Sequence, residues 1–286
     1  MQYQISAIAL LLLSLVPCPA IAEPSTPKHR AETKTPAAVE SITSKLYASD
    51  ESTARAAVDE LVRADQPTAV SALTAFIRNG QPDAITDHVL ENLAKIPSPA
   101  AVEALEEFTR HRRPSARLRA YQALAAIRAP GASEMVAQGL SDSDPTVRGA
   151  AALALGRLGA QEQLPLLFLA LERGVREAAT AIGQLGDAES VKHFTEYITK
   201  IPLTTMLSGY DCFLRREDLS EKAKLEIVAA LSELSVGDVK RFFQAFLAGG
   251  GAKAESALSK AIETAGARIK QRPPPPATGA PQEGGR

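Results

Sequence analysis

Apolar residues of this chain recur at intervals of 31 or 32 residues, and this period constrains the fold more than any other feature. Three series keep the interval: Leu93, Leu124 and Leu155; Ile96, Ile127 and Leu158; and Pro82, Pro114 and Pro145. The segments AVSALTAF (69–76) and AVEALEEF (101–108) match each other with the same spacing. Periods of this length are typical of supersecondary units that stack on one another. We therefore predict an array of stacked units.

Each unit contains two helical patterns, which are clearest between residues 143 and 174. The first pattern has an apolar stripe at helical spacing, formed by Val147, Ala150, Ala151, Ala154, Leu155 and Leu158. Pro145 suits a first helical turn, Asp142 or Asp144 could cap it, and Gly159 ends the helix. The second pattern, at 161–174, is apolar on more of its circumference, so we expect it to be buried on more of its surface.

The composition agrees with a helical protein. Of 286 residues only 5% are aromatic and none is tryptophan, whereas alanine and leucine are abundant. Small side chains let helices approach closely, and stacking hides the apolar stripe of each unit. We predict an all-α fold, an α-solenoid of about six stacked helical hairpins with capping helices at 37–46 and 254–269. The first helices are placed near 52–64, 82–96, 114–128, 145–158, 175–185 and 220–234, and their partners near 67–79, 99–111, 131–141, 161–173, 188–200 and 237–248.

The segment DPTVRGAAALALGRLG followed by QLPLLFLAL resembles a HEAT-like repeat of the short bacterial kind that also occurs in phycobilin lyases. The shared features are the Asp-Pro-x-Val-Arg opening, the Ala-Leu-Gly-x-Leu-Gly close and the proline early in the second helix. The resemblance is clear again at 175–194 and weaker at 114–127. It implies a helical repeat fold and says little about activity.

Both ends of the chain are predicted to lie outside the solenoid, which we place at 37–270. Residues 5–16 form an apolar run that precedes the triplet Ala20-Ile21-Ala22, as in a signal peptide over 1–22 that is cleaved before Glu23. This predicts a periplasmic or secreted protein. Cys18 raises the alternative of a lipoprotein, but Pro17 stands directly before it, where a lipoprotein signal has a small residue. A lipoprotein is therefore the less favoured interpretation. Residues 23–36 read as a disordered linker, and the proline- and glycine-rich residues 271–286 read as a disordered tail.

One arginine per unit directly follows the residue that opens the apolar stripe, at Arg117, Arg148 and Arg176. The family resemblance implies that these arginines form a ladder with acidic turn residues of adjacent units. The candidate acids are Asp142, Asp144 and Asp187. Paired charges of this kind fix the register of stacked units. A ligand-binding row of arginines is the alternative.

The segment FTRHRRPSARLR (108–119) concentrates basic residues without a single acidic one. It is either a solvated turn between repeats or a docking patch for an acidic partner, with Arg110, Arg112 and Arg113 as candidate contacts.

The positions Ile182 and Leu231 lie 49 residues apart instead of 31, which indicates an insertion near 202–218. Insertions in solenoids often map to the binding face, so Tyr210 and Asp211 are further candidate contacts for a partner. The alternative is an extra packed helix in which Cys212 is a small buried residue.

The function indicated by these patterns is binding. A net charge of −1 gives no general attraction to nucleic acid. The four histidines are scattered singly, so we predict no metal site and no cofactor, and no catalytic motif is present. We expect an exported scaffold that binds a protein partner through its concave face and is not inserted in a membrane. The alternatives are an enzyme or chromophore handler of the bilin-lyase-like HEAT type, and a structural spacer of the envelope.

Overall fold

The computed structural model describes residues 36–64, 66–234 and 236–269. The predicted signal peptide, nearly all of the predicted linker and the predicted tail lie outside these residues. Within them the chain forms helices and turns without a strand, and no helix combines the length and hydropathy needed to cross a membrane. In chain order the α-helices are α1 (Pro36–Lys45), α2 (Glu51–Ala64), α3 (Gln66–Arg78), α4 (Asp83–Leu93), α5 (Pro99–Phe108), α6 (Pro114–Ile127), α7 (Ala132–Gln138), α8 (Pro145–Leu158), α9 (Leu164–Glu172), α10 (Glu177–Leu185), α11 (Ala188–Thr195), α12 (Leu203–Arg215), α13 (Glu221–Glu233), α14 (Gly237–Ala248) and α15 (Ala257–Arg268).

The helices form an all-α solenoid in two layers, which confirms the predicted fold class. The first helices of successive hairpins, α2, α4, α6, α8, α10 and α12, pack side by side in one layer. Their partners α3, α5, α7, α9, α11 and α13 form the second layer. The six hairpins stand between α1, which packs on α2, and the pair α14 and α15, which packs on α12 and α13.

Local sequence signals set the ends of the helices. Asp144 caps α8, because its Oδ1 accepts hydrogen bonds from the backbone N–H groups of Thr146 at 2.8 Å and Val147 at 3.4 Å. Gly159 ends α8 in the left-handed region with φ 77°, which a side chain disfavours. The stripe that opens at Val147 is buried, and Leu155 has no exposed surface.

Close approach in the first-helix layer depends on small residues where α10 meets α12. A Cβ added to Gly209 would lie 2.6 Å from both the carbonyl oxygen of Ala179 and Cζ of Phe194, and one added to Gly183 would overlap the carbonyl oxygen of Gly209. The two backbones therefore touch directly, and nothing larger than glycine fits at these positions.

The region around residue 202 differs from the predicted arrangement. The expected insertion at 202–218 is helix α12, which packs on α10 as a regular first helix. The expected first helix at 220–234 is its partner α13, and 237–248 is the first helix of the last pair. The prediction was wrong because the loop between α11 and α12 and the turn before α13 changed the local period without interrupting the alternation of layers.

Candidate partner-binding surface

The basic segment 108–119 does not form a surface of excess positive charge. Arg113 pairs with Asp83 and also donates to Thr86 Oγ1 at 3.1 Å, while Arg119 lies 3.5 Å from Asp87 and 3.3 Å from Glu91. All four of these partners lie on α4, in the preceding hairpin.

The remaining arginines of the segment follow the same pattern, with one exception. Arg110 pairs with Glu106 of α5 at 3.1 Å, whereas the exposed side chain of Arg112 has no ion-pair partner among the described residues. The segment lacks acidic residues in sequence, but its neighbours supply them in space. The prediction of a docking patch at Arg110, Arg112 and Arg113 thereby loses the uncompensated charge on which it depended.

Among the described residues, the predicted arginine ladder is represented by one ion pair between repeats. The guanidinium of Arg117 donates to both carboxylate oxygens of Asp142 at 2.7 Å, and the two side chains are only 12% and 8% exposed. Burial raises the pKa of Asp142, but the hydrogen bonds from Arg117 and from the backbone N–H of Asp144 outweigh it and leave the pKa below its usual value. This pair ties α6 to the turn that precedes α8.

The other residues predicted for the ladder mostly form hydrogen bonds with backbone groups of their own turns. Arg148 donates to the carbonyl oxygens of Asp142 at 2.8 Å and Ser143 at 3.0 Å, which are positions that Arg117 also uses in its own repeat. Arg176 is exposed, because the turn before α10 is shorter and carries no aspartate. Asp144 and Asp187 are helix N-caps and pair with no arginine, so their assignment to the ladder is corrected.

The candidate contacts on α12 are also corrected. Tyr210 has no exposed surface, its ring packs edge-on to Phe194 at 5.1 Å, and its hydroxyl hydrogen-bonds Thr195 Oγ1 at 3.2 Å. Asp211 is half-buried and accepts from Arg215 at 2.8 Å. Burial, followed by the charge of Asp211, raises the pKa of the Cys212 thiol, so the thiol stays protonated at neutral pH. The segment near 202–218 therefore contains a packed helix, which was the alternative to a binding surface.

A groove that sequence reasoning missed lies between α9 and α11. It has a volume of about 870 Å³ and opens on the second-helix layer. Its floor contains the buried rings of Phe168 and Tyr197, over which the half-exposed ring of His193 packs, with ring centroids 4.4 Å from Phe168 and 5.3 Å from Tyr197. These bulky rings hold α9 and α11 apart, whereas alanine and glycine let α8, α10 and α12 close together.

One wall of the groove is apolar and belongs to α9. Leu169 lines the groove and is 39% exposed, and Leu166, on the same helix but outside the groove, is 44% exposed. This corrects the prediction that the second pattern at 161–174 is the more buried one. The excess of leucine around α9 was the sequence signal for the site, because apolar residues beyond those needed for a core stay on the surface.

The rim of the groove is acidic. The carboxylates of Glu172, Asp187, Glu189 and Glu196 line it together with one lysine, Lys192. Glu172 accepts a hydrogen bond of 2.7 Å from the hydroxyl of Tyr197, and this bond together with burial raises the pKa of Tyr197 to about 12. Glu196 lies 3.2 Å from Nδ1 of His193. The arrangement suits a ligand that combines apolar and basic groups.

Nothing in the described residues resembles a metal centre, since no group of three or more His, Cys, Asp or Glu side chains is arranged to hold an ion. Around the groove, Lys192 lies 3.5 Å from Glu189, and Asp187 accepts a hydrogen bond from the backbone N–H of Ser190.

Comparison with known proteins identifies the repeat. A family model described as HEAT repeats matches residues 39–125 and 102–176. No curated protein matches the chain.

Similar solved structures share little sequence with the chain. Human deoxyhypusine hydroxylase in complex with glycerol is 16% identical over 80% of this chain and 94% of its own, with a TM-score of 0.41. The CpcE and CpcF complex of phycocyanin lyase from Nostoc sp. PCC7120 is 18% identical over 86% of this chain and 100% of its own, with a TM-score of 0.42. An engineered protein is 16% identical over 79% and 77%, with a TM-score of 0.40. At these values the likeness does not extend to activity. The family match shows that residues 39–176 consist of HEAT-like repeats, and the paired helices continue beyond them to Arg268.

Proposed function

We propose that this protein is an exported scaffold that binds a segment of a protein partner in the groove between α9 and α11. The observation that carries the proposal is the exposure of Leu169 beside an acidic rim, in a layer whose other large apolar side chains are mostly covered. Contiguous exposed apolar surface with a polar border marks interaction sites. The partner segment presents an apolar group to Leu169 and basic groups to the rim.

The proposal assigns the protein a binding role without catalysis. The half-buried Cys212 carries a protonated thiol, and His193 contacts rings and Glu196 rather than a nucleophile. Stacked repeats offer extended surfaces to partners, which suits a scaffold. The proposed binding site is one groove, whereas the sequence predicted binding along the whole concave face of the solenoid.

Export is part of the proposal and is supported by sequence alone. The apolar run at 5–16 and the triplet Ala20-Ile21-Ala22 are typical of a cleaved signal. Fractionation of the producing cell and N-terminal sequencing of the protein test it. We expect a periplasmic or secreted protein that begins at Glu23, and a cytoplasmic protein that keeps its first residues would contradict export.

Photocrosslinking in the producing cell tests the groove. A photoreactive amino acid is placed at position 169 in one variant and at position 166 in a matched control, since both are exposed leucines of α9 and only Leu169 lines the groove. We expect one defined crosslinked protein from position 169, lost when Glu196 is replaced by Lys, and none from position 166. Equal crosslinking from both positions, or from neither, would contradict a groove-directed partner.

A further inference from the structure

The described groove has a matching segment in the chain's own sequence. Residues 270–276 read KQRPPPP, in which two basic side chains precede four consecutive prolines. The segment begins directly after Ile269, the last described residue, and it offers the apolar and basic groups that the groove requires. We propose that the groove between α9 and α11 binds residues 270–276 of a second copy of the chain. This inference rests on the proposed function and names a partner for the same site.

The chemistry of proline favours this occupant. The ring of a proline fixes φ near −65°, so a run of prolines has little conformational entropy to lose on binding. Proline-rich segments dock in grooves lined by aromatic rings, where the pyrrolidine rings pack on flat apolar surface. The half-exposed ring of His193 and the side chains of Pro165 and Leu169 supply such a surface.

The charges of the two surfaces are complementary. Lys270 and Arg272 are positive, and no acidic residue occurs before Glu283 in the tail. The groove carries four carboxylates and one lysine. By contrast, the groove between α3 and α5 is lined by three glutamates and two arginines, and its two ion pairs, Arg78 with Glu107 and Arg110 with Glu106, leave an excess of one carboxylate. The groove between α9 and α11 therefore offers the tail an exposed leucine and the larger acidic excess.

The length of the tail selects a second copy over the same chain. From α15, which the tail follows, α13 and then α11 must be passed before the groove is reached. Neighbouring helix axes lie about 9 Å apart, so the separation is about 20–25 Å. Three residue steps join Ile269 to Arg272 and span at most about 11 Å. The basic residues of one chain therefore fall short of the centre of its own groove, whereas a second copy can place them there together with the prolines.

Sedimentation of the full chain, purified from its producing cell, measures the association directly. We expect the average mass of the wild-type protein to rise with concentration and to fall back as salt rises, since part of the attraction is screened. Two variants should remain monomeric: a groove variant, Leu169→Lys, and a tail variant that combines Lys270→Glu with Arg272→Glu. The control Leu166→Lys carries the same substitution outside the groove and should associate as the wild type does.

Mixing the two monomeric variants provides the decisive experiment. The groove variant still has an intact tail, and the tail variant still has an intact groove, so the mixture should form a complex that neither protein forms alone. A fluorescent peptide of residues 268–281 should bind the tail variant, and should bind the groove variant about tenfold or more weakly. Circular dichroism spectra identical to wild type show that both variants are folded.

Two results would overturn the inference. A mixture that stays monomeric, with no binding of the peptide to the tail variant, would show that the tail is not a ligand. If all proteins stay monomeric while the peptide binds the tail variant more tightly than wild type, the tail occupies the groove of its own chain. Either result leaves the photocrosslinking test of the proposed function intact, because a different protein captured at position 169 would still support a groove-directed partner.

Discussion

The two layers of the solenoid are built from the same repeat, yet they present different surfaces. In the first-helix layer, Gly183 and Gly209 bring α10 and α12 into backbone contact. In the second-helix layer, Phe168, His193 and Tyr197 fill the space between α9 and α11 with rings and leave a groove above them. Side-chain volume at the contact therefore decides where a helical repeat is closed and where it is open to a ligand.

The difference separates stability from recognition. The first-helix layer buries nearly all of its apolar stripe, so substitutions there act on the free energy of unfolding. The exposed leucines of α9 add little to the core and remain available to a partner. Four expected outcomes test this separation, in order of decreasing effect on stability.

Leu155→Ala should have the largest effect. The side chain is fully buried in α8, so its truncation should lower the free energy of unfolding by about 2–5 kcal/mol. Leu166→Ala on the exposed face of α9 is the matched control and should change it by about 0.5 kcal/mol or less. Urea denaturation followed by circular dichroism measures both. Equal losses would show that α9 contributes to the core as much as α8 does.

Asp142→Asn should follow, because it removes the charge of a buried pair. We expect a loss of about 1.5–3 kcal/mol at neutral pH, the range for hydrogen bonds to charged groups. The folded-state pKa of Asp142 is depressed, so its contribution is complete above the unfolded pKa of about 3.9 and disappears as the pH falls through the folded-state value. The difference between wild type and variant should therefore shrink in acid.

Asp187→Asn is the control for that experiment. Asp187 caps α11 through the backbone N–H of Ser190 at 2.8 Å, and asparagine caps helices nearly as well, so the loss should be smaller. Unfolding curves from pH 7 down to pH 3 provide the comparison. A difference between wild type and Asp142→Asn that stays constant with pH would contradict the assigned ion pair.

Gly209→Ala should cost about 1–3 kcal/mol, since the added methyl group overlaps the backbone of α10 and the ring of Phe194. Gly266→Ala in α15 is the control, because nothing lies within 4 Å of an added Cβ there. The control should be stabilised by about 0.5–1 kcal/mol through the higher helix propensity of alanine. Thermal unfolding of both variants distinguishes the close contact from a general effect of glycine replacement.

Leu169→Lys should have the smallest effect on stability and the largest on binding. The free energy of unfolding should change by about 0.5 kcal/mol or less, because the side chain is already exposed. Crosslinking at the groove and association of the chain should both be lost. A variant that unfolds easily, or that binds as wild type does, would remove the distinction between the two layers.

Much of the fold follows from local sequence signals. The stripe from Val147 to Leu158, the cap at Asp144 and the stop at Gly159 predict α8 to the residue. These features depend on helical spacing and on backbone groups within a few residues, so a single segment contains the information. The prediction of a stacked helical solenoid needed only the recurrence of such segments, and its HEAT-like character followed from the resemblance of the motif at 144–171.

The charged and apolar contacts between units could not be predicted in the same way. Arg117 and Arg148 occupy equivalent positions, but only the turn that faces Arg117 carries an aspartate at the right place. The interval in sequence indicated an insertion around Tyr210 that was either a binding loop or a packed helix. The structure assigns α12 to the first-helix layer, so Tyr210 is a core residue.

The sequence by itself determined the helices, their pairing over most of the chain and their apolar stripes, because these properties depend on spacing along one segment. The tertiary structure alone decided which side chains meet across hairpins. It placed the acids of α4 against Arg113 and Arg119, and it stacked the rings of Phe168 and His193 so that α9 and α11 stand apart. The groove exists because large side chains from two different repeats meet at one contact and keep the helices apart. Which side chains meet there is decided only when the repeats stack.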